Sequence, residues 1–166
     1  TRGSHPYGIA VAAGAVWYIT NYNNEIIRLD PASGEQTPFR PPTPRSGLRR
    51  MGADAEGNLW AGGQDSNMLV KLNTRTGEVT EYAVPTVNAA PYSVDVDTAR
   101  HLVWFSERDA DKIGRFNPRD GTFVEFPLLT AGIEARRILV DPANPNRIWW
   151  GCASDVDRFG YLEIID

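Results

Sequence analysis

The stretch GNLWAGGQDSNMLVKLNTRTGEVTEY, residues 57–82, places apolar runs on both sides of a polar loop and closes with a third strand-like segment. A similar stretch, HLVWFSERDADKIGRFNPRDGTFVEF, begins 44 residues later. The pattern continues along the chain with one tryptophan in each unit: Trp17, Trp60, Trp104 and Trp149. Repetition at this period is typical of proteins in which one supersecondary unit stacks on the next.

The pattern inside each unit predicts β-strands. Apolar residues alternate with other residues before each tryptophan, as in YSVDV and RRILV, and this period of two is the signature of a strand. Gly, Asn, Asp and Pro occur where the runs join. Four short strands in each unit predict an all-β fold, a β-propeller of four-stranded antiparallel blades. An irregular β-sandwich is the alternative, but a sandwich does not require the same register in every unit.

The repeat divides the chain into about four blades. We predict one propeller segment over residues 1–166, with blades at about 5–45, 46–88, 89–131 and 132–166. The last unit ends in FGYLEIID and lacks the outer strand that GEVTEY and GTFVEF supply to other units. Open blades expose apolar faces. We therefore expect the chain to be part of a larger ring, or two copies to assemble into one.

Composition and charge exclude several classes of partner. The net charge of −4 and the pI near 5.2 argue against nucleic-acid binding, because no broad basic face is available for phosphates. No apolar stretch approaches the roughly 18 residues of a membrane span. The single cysteine, Cys152, excludes an internal disulfide and a cysteine-based zinc site. The composition is that of a soluble globular protein and does not distinguish the cytoplasm from the periplasm or secretion.

Two longer segments resemble a known family. PYGIAV…AVWYIT…NEIIRLDPASGEQTPF and PYSVDV…LVWFSE…DKIGRFNPRDGTFVEFPL are similar to blades of the virginiamycin B lyase (streptogramin lyase) family, which read Pro-x-Gly-Ile, Trp-Phe-Thr-Glu, Ile-Gly-Arg and Thr-Gly. The resemblance implies a bacterial, seven-bladed propeller. It also implies a Mg²⁺-dependent carbon–oxygen lyase that opens the ester of a cyclic depsipeptide, with Mg²⁺ polarising the ester and a histidine removing a proton.

Four residues are placed to meet at the central funnel, because each lies at the start of an innermost strand: Tyr7, Arg49, Tyr92 and Arg136. The resemblance puts the catalytic histidines of the family at these places, so an enzyme would draw its histidines from blades beyond this chain. Arginine forks bind carboxylates and phosphates, and tyrosines present a flat surface with a polar tip. These four residues therefore predict a site for an anionic small molecule or peptide.

The alternative for the arginines is structural. Arg49 and Arg136, together with the Arg50 and Arg137 that follow them, could instead pair with neighbouring acids. The acids within sequence reach are Asp65, Glu107, Asp109 and Asp155.

The resemblance also implies roles for Glu107 and His5. Glu107 in WFSE matches the glutamate of the family's Trp-Phe-Thr-Glu, which helps to hold the metal, so Glu107 is the candidate catalytic carboxylate and Mg²⁺ ligand. A bond between blades is the alternative for Glu107. His5, displaced by two positions from the family's histidine, is the candidate general base, and a solvated terminus is its alternative. His101 falls in a hairpin on the opposite face and is not a candidate.

Three functions follow from these residues. The first is a streptogramin-lyase-like enzyme. The second is a non-catalytic propeller that binds a small anionic ligand or a protein partner at its funnel. The third is a structural sector of a larger assembly, completed by further blades or by a second copy.

Overall fold

The chain is represented by a computed structural model, in which residues 4–153 and 158–165 are described. Regular structure in these residues consists of fifteen β-strands. The same part of the chain contains no helix with the length and apolarity needed to cross a bilayer.

The strands form four sheets, each a blade. Blade 1 contains β1 (Pro6–Ala12), β2 (Ala15–Thr20), β3 (Glu25–Leu29) and β4 (Gln36–Phe39). Blade 2 contains β5 (Leu48–Ala53), β6 (Leu59–Gly63), β7 (Met68–Leu72) and β8 (Val79–Ala83). Blade 3 contains β9 (Pro91–Asp97), β10 (Leu102–Glu107), β11 (Lys112–Asn117) and β12 (Thr122–Pro127). Blade 4 contains β13 (Ala135–Val140), β14 (Arg147–Cys152) and β15 (Phe159–Glu163).

Every sheet is an antiparallel meander in chain order. The first strands of successive blades contact one another, β1 with β5, β5 with β9 and β9 with β13, so these four strands line the inside of a fan of sheets. This arrangement confirms the predicted all-β propeller. Blades 1 to 3 have four strands, and the described residues give blade 4 three.

The repeated tryptophans fill the spaces between blades. Trp17, Trp60 and Trp104 are at most 1% exposed. Trp17 packs with Leu59 and Leu72 of blade 2, and the other two tryptophans pack in the same way on blades 3 and 4. A blade cannot bury both of its faces alone, so the same residue type returns at the same place in each unit.

The two ends of the fan expose apolar faces. On blade 1, the side chains of Ile9 and Val11 are 68% and 74% exposed. On blade 4, Phe159 is 80% exposed and Trp149 is only half-buried. Large apolar side chains are thus exposed on the outer face of each end blade.

Candidate functional site

The four predicted funnel residues occupy equivalent places in the four blades. Tyr7, Arg49, Tyr92 and Arg136 are each the second residue of the first strand of their blade. The pairing of that strand with the next one shifts register at the same point in every blade. A shift of this kind bends the strand and redirects a side chain. The irregularity thus turns these four side chains towards one end of the fan, here called the mouth.

Turns within blades 1 to 3 hold three of the four mouth residues in place. Residues with left-handed backbone (φ 57°, 58° and 51°) lie in the turns between the second and third strands of blades 1 to 3: Asn24, Asn67 and Asp111. Their side-chain oxygens accept hydrogen bonds of 2.8 Å from three backbone N–H groups of the following connection, those of Ser46, Ala89 and Ile133. Each N–H belongs to a buried residue three positions before a mouth residue. Every connection is therefore fixed just before its mouth side chain.

Gly8 allows blades 1 and 2 to approach closely beside Tyr7. A Cβ atom at Gly8 would lie 2.5 Å from the carbonyl oxygen of Arg49. Only a residue without a side chain leaves room for that carbonyl. The Pro-x-Gly pattern at the start of β1 therefore brings Tyr7 and Arg49 together.

The mouth residues form one cluster. The hydroxyl groups of Tyr7 and Tyr92 hydrogen-bond to each other, and their ring centroids are 6.1 Å apart in a T-shaped arrangement. The guanidinium carbon of Arg49 lies 5.7 Å from both ring centroids. Those of Arg108 and Arg136 lie 5.9 Å from the Tyr92 ring. Tyr7 of blade 1 thus reaches across Arg49 of blade 2 to Tyr92 of blade 3, and all four predicted residues meet.

Cations exceed acids in this cluster. Arg136 pairs with Glu134 at 2.7 Å and Arg108 pairs with Asp109 at 2.6 Å. Arg49, by contrast, donates from Nε to the amide oxygen of Gln64 at 2.7 Å. Within the described ranges, Arg49 forms no ion pair with an acid.

Arg50 follows the same pattern. Its Nε donates to the carbonyl oxygen of Arg136 at 3.1 Å, and its guanidinium carbon lies 5.5 Å from the Tyr7 ring centroid. No acid of residues 4–153 or 158–165 pairs with it. The alternative that the arginines pair with neighbouring acids thus applies to Arg136, whose partner Glu134 was not among the predicted acids. It does not apply to Arg49 or Arg50. Asp155, another predicted partner, lies outside the described residues.

Tyr92 supplies a neutral surface among these charges. The residue is 4% exposed. Burial raises the pKa of its hydroxyl, and the hydrogen bond with Tyr7 adds to the increase. The phenol therefore stays protonated at neutral pH and donates or accepts as a neutral group.

Arg108 and Gln64 belong to the site although the sequence did not single them out. Nη1 of Arg108 donates to the Gln64 oxygen at 3.2 Å, the same oxygen that receives the Arg49 bond. Both residues directly follow a second strand, β6 or β10. The loops after second strands open on the mouth side, so the two residues could have been found from that rule.

An open cleft of about 540 Å³ adjoins the cluster between blades 1 and 2. Its lining consists of His5, Tyr7, Asn21, Tyr22, Arg45, Gly47, Arg49 and Asp65. The exposed His5 ring packs edge-on against Tyr22, with centroids 4.2 Å apart. The candidate base thus lies in the same cleft as Tyr7 and Arg49.

Glu107 lies apart from the cleft lining, in the interior of blade 3. Its side chain is fully buried, and neither carboxylate oxygen accepts a hydrogen bond from a described residue. Burial raises the pKa of Glu107 to about 8, the charge of Glu125 adds to the increase, and Lys112 opposes it. The predicted bond between blades is therefore not observed for Glu107 in this part of the chain.

The surroundings of Glu107 do not fit Mg²⁺. The ion requires several oxygen ligands, mostly carboxylates and waters, around it. Here the second carboxylate nearby, Glu125, is already bound by Thr86 and by the ammonium group of Lys112. The described ranges contain no group of three or more His, Cys, Asp or Glu side chains that could hold a metal ion.

His101 lies away from the mouth, in the hairpin between β9 and β10. Its Nδ1 is 2.9 Å from the carboxylate of Glu56 in blade 2. His101 therefore links two blades on the opposite side of the fan.

Comparison with known proteins identifies the family of this propeller. The sequence profile of the virginiamycin B lyase family matches residues 1–160. The chain belongs to this family. No curated protein sequence matches it significantly.

Solved structures of lyases are similar to the chain. A catalytically inactive variant of virginiamycin B lyase from Staphylococcus aureus, solved with quinupristin, is 32% identical, with a TM-score of 0.87 over 99% of this chain and 54% of that one. A streptogramin B lyase is 25% identical, with a TM-score of 0.83 over 97% and 55%. Selenomethionine virginiamycin B lyase from Staphylococcus aureus is 24% identical, with a TM-score of 0.81 over 97% and 56%. The chain spans just over half the length of these relatives.

Proposed function

We propose that this virginiamycin B lyase-like propeller binds an anionic or carbonyl-rich peptide ligand at its mouth. The observation that carries the proposal is the pair Arg49 and Arg50, whose guanidinium groups contact the mouth tyrosines and form no ion pair within the described residues. Guanidinium groups bind carboxylates and carbonyl oxygens through parallel hydrogen bonds. Tyr7 and Tyr92 add flat surface against which apolar parts of the ligand pack.

A cyclic depsipeptide is the first ligand to try. The relative with a TM-score of 0.87 was solved with quinupristin. Such a ring presents many carbonyl groups and aromatic side chains, which match arginine donors and tyrosine rings. The cleft of about 540 Å³ beside the cluster can accept part of a ring of this size.

Titration calorimetry with quinupristin tests the proposal. Arg49→Ala is expected to weaken binding at least about tenfold, because it removes a charged donor at the centre of the cluster. Arg75→Ala removes the same charge from an exposed loop and is expected to leave the affinity unchanged. Circular dichroism verifies that both variants are folded. Equal affinities of wild type, Arg49→Ala and Arg50→Ala would contradict the proposal.

Catalysis by this chain is the second candidate. It is favoured by the 32% identity to a lyase over 99% of the chain and by the position of His5 in the cleft. An imidazole can remove the proton in an elimination. Because the Glu107 surroundings do not fit Mg²⁺, we assign no step to the metal here.

The product of elimination separates the two candidates. Opening the ester by elimination leaves the mass of quinupristin unchanged but creates a carboxylate and a carbon–carbon double bond. Chromatography and fragment-ion spectra detect this linear isomer. Binding without linear isomer is expected from the first proposal. Isomer formation that is lost in His5→Ala would instead establish the enzyme.

We further propose that additional blades, or a second copy, cover the two apolar end faces in the working assembly. The exposed Ile9 and Val11 at one end and Phe159 at the other support this. Light scattering of the purified chain measures whether copies associate.

A further inference from the structure

The side chain of Gln64 lies between an acid and two arginines at the mouth. Its Nε2 donates to Oδ1 of Asp65 at 3.1 Å. Its Oε1 accepts from Nε of Arg49 at 2.7 Å and from Nη1 of Arg108 at 3.2 Å. Asp65 is one of the acids that the sequence offers as a partner for Arg49. The amide of Gln64 therefore takes the place of a direct ion pair between Asp65 and Arg49.

The neighbours of Gln64 allow only one orientation of its amide. An ionised carboxylate only accepts hydrogen bonds, and a guanidinium only donates them. The oxygen of the amide must therefore face the two arginines, and its nitrogen must face Asp65. This arrangement uses Nε of Arg49 and leaves its two terminal nitrogens without a hydrogen bond to any residue of 4–153 or 158–165.

Asp65 is held beside the mouth by the connection before blade 2. Its backbone N–H donates to the carbonyl oxygen of Ser46 at 3.0 Å. A Cβ atom at Gly47, which has a φ of 65°, would lie 2.4 Å from the carboxyl carbon of Asp65. Only glycine fits beside a side chain at that distance. The Asp65 carboxylate thus remains next to the mouth, and it lines the same cleft as Arg49.

Two other arginines of the cluster show what Arg49 avoids. Arg108 is held by both carboxylate oxygens of Asp109, at 2.6 and 3.0 Å. Arg136 pairs with Glu134 at 2.7 Å. A guanidinium that already holds a carboxylate attracts a second carboxylate less strongly, because the two acids repel each other. The positive charge that the mouth offers at Arg49 therefore depends on keeping Asp65 away.

We propose that Gln64 is a positioning residue that sets the ligand preference of the mouth. It prevents Asp65 from neutralising Arg49, and the mouth then selects aromatic peptides that carry a carboxylate over the same peptides without that charge. The inference rests on the proposed binding function. The terminal nitrogens of Arg49 bind the carboxylate through two parallel hydrogen bonds, and the rings of Tyr7 and Tyr92 pack on the aromatic side chains.

A matched pair of peptides tests the preference. N-acetyl-Phe-Phe carries a terminal carboxylate, and its C-terminal amide has the same shape without the charge. Titration calorimetry with the wild type is expected to give at least about tenfold tighter binding of the acid, because a hydrogen bond to a charged group replaces one to a neutral group.

Substitutions then connect this preference to Gln64. In Gln64→Ala the preference for the acid is expected to fall about three- to fivefold, because Asp65 now forms a partly exposed ion pair with Arg49. The double variant Gln64→Ala with Asp65→Asn is expected to regain the preference, which a merely structural role of Gln64 does not explain. Gln36→Ala removes an exposed amide in blade 1 and is expected to retain it. Circular dichroism verifies that all variants are folded.

The state of Arg49 can also be measured without a peptide. Phenylglyoxal modifies unpaired guanidinium groups faster than ion-paired ones, and mass spectrometry locates the adduct. Arg49 is expected to react more slowly in Gln64→Ala than in the wild type, and to recover its rate in the double variant.

The two measurements separate this proposal from the proposed function. An unchanged preference in Gln64→Ala, or no recovery in the double variant, overturns the role of Gln64 while peptide binding by the wild type still supports the mouth as a binding site. If the wild type binds neither peptide nor quinupristin, the proposed function and the ligand preference are both overturned. Equal phenylglyoxal rates of Arg49 in all three proteins would contradict the separation of Asp65 from Arg49.

Discussion

Blades 3 and 4 carry the same repeat in different surroundings. Trp104 in blade 3 is 1% exposed, since Phe126 of β12 and apolar residues of blade 4 pack around it. Trp149 in blade 4 has the same place and donates its Nε1 to Asp141 at 2.9 Å, yet it is only half-buried. The comparison shows that the repeat specifies the strands of each blade, whereas the burial of its tryptophan depends on the neighbouring strand and the neighbouring blade.

The two tryptophans give the largest expected difference. Trp104→Ala is expected to lower the free energy of unfolding by about 3–5 kcal/mol, because it leaves a large cavity between blades. Trp149→Ala is expected to lower it by about 1–2 kcal/mol, because less apolar surface is lost. Urea unfolding followed by circular dichroism measures both. Equal losses would show that the environment of blade 4 in solution is like that of blade 3.

A buried carboxyl in blade 3 has no counterpart in blade 4, where Cys152 takes the place of Glu107. The pKa of Glu107 rises from 4.5 to about 8 on folding, chiefly by burial. The folded state thus binds the proton more tightly, and the stability that this proton contributes is lost as the pH rises from about 4.5 to about 8.

Glu107→Gln is therefore expected to remove this pH dependence of the free energy of unfolding. The free energy of unfolding of the wild type is expected to fall by a few kcal/mol between pH 5 and pH 9. Each pH unit between the unfolded and folded pKa values lowers it by about 1.4 kcal/mol. Glu107→Gln is expected to lack this decline, and its advantage over the wild type is largest above pH 8. The exposed Glu78→Gln serves as the control. A decline of the same size in Glu107→Gln would mean that another group titrates.

The two threonines before the blades give a smaller contrast. Thr86→Val is expected to destabilise the chain by about 1–2 kcal/mol, because the hydroxyl bond to the Glu125 carboxylate is lost. Thr130→Val is expected to change stability by less than about 0.5 kcal/mol, because Thr130 forms no bond with the described residues. Thermal unfolding compares the two. A comparable loss in Thr130→Val would reveal a partner for Thr130 in the chain itself.

A small effect on stability is also expected at the mouth. Tyr7→Phe removes a hydroxyl whose one bonding partner among residues 4–153 and 158–165 is Tyr92, and Tyr7 is 42% exposed. Stability is expected to fall by less than about 1 kcal/mol, whereas the affinity for a mouth ligand changes more. Unfolding and titration experiments on the same variant measure the two quantities. A large loss of stability would assign the Tyr7–Tyr92 contact to the framework.

Features that recur in every unit were predictable from the sequence. The tryptophan spacing and the alternating strands indicated four antiparallel blades, because a repeated interface requires repeated residues. The mouth residues followed from one rule about where innermost strands begin, and the structure brings Tyr7, Arg49, Tyr92 and Arg136 into one cluster.

Features that depend on neighbours were not predictable in the same way. Nothing in WFSE shows that Glu107 points into the interior, because the direction depends on how β10 lies between β9 and β11 within blade 3. The pairing of Arg136 with Glu134 arises from the left-handed backbone at Glu134, which turns the chain just before β13. Sequence spacing alone does not specify either geometry.

The hydrogen bonds that Asn24, Asn67 and Asp111 accept from the connections bear on how such a protein changes over time. The side chains of Arg49, Tyr92 and Arg136 each lie three residues after a point that is fixed by a separate turn. A substitution at Arg49, Tyr92 or Arg136 removes contacts within the cluster, but it removes none of these three backbone hydrogen bonds. Under the proposed binding function, descendants of one ancestral propeller can acquire new ligand preferences through exchanges at the mouth, while the inherited architecture is passed on intact.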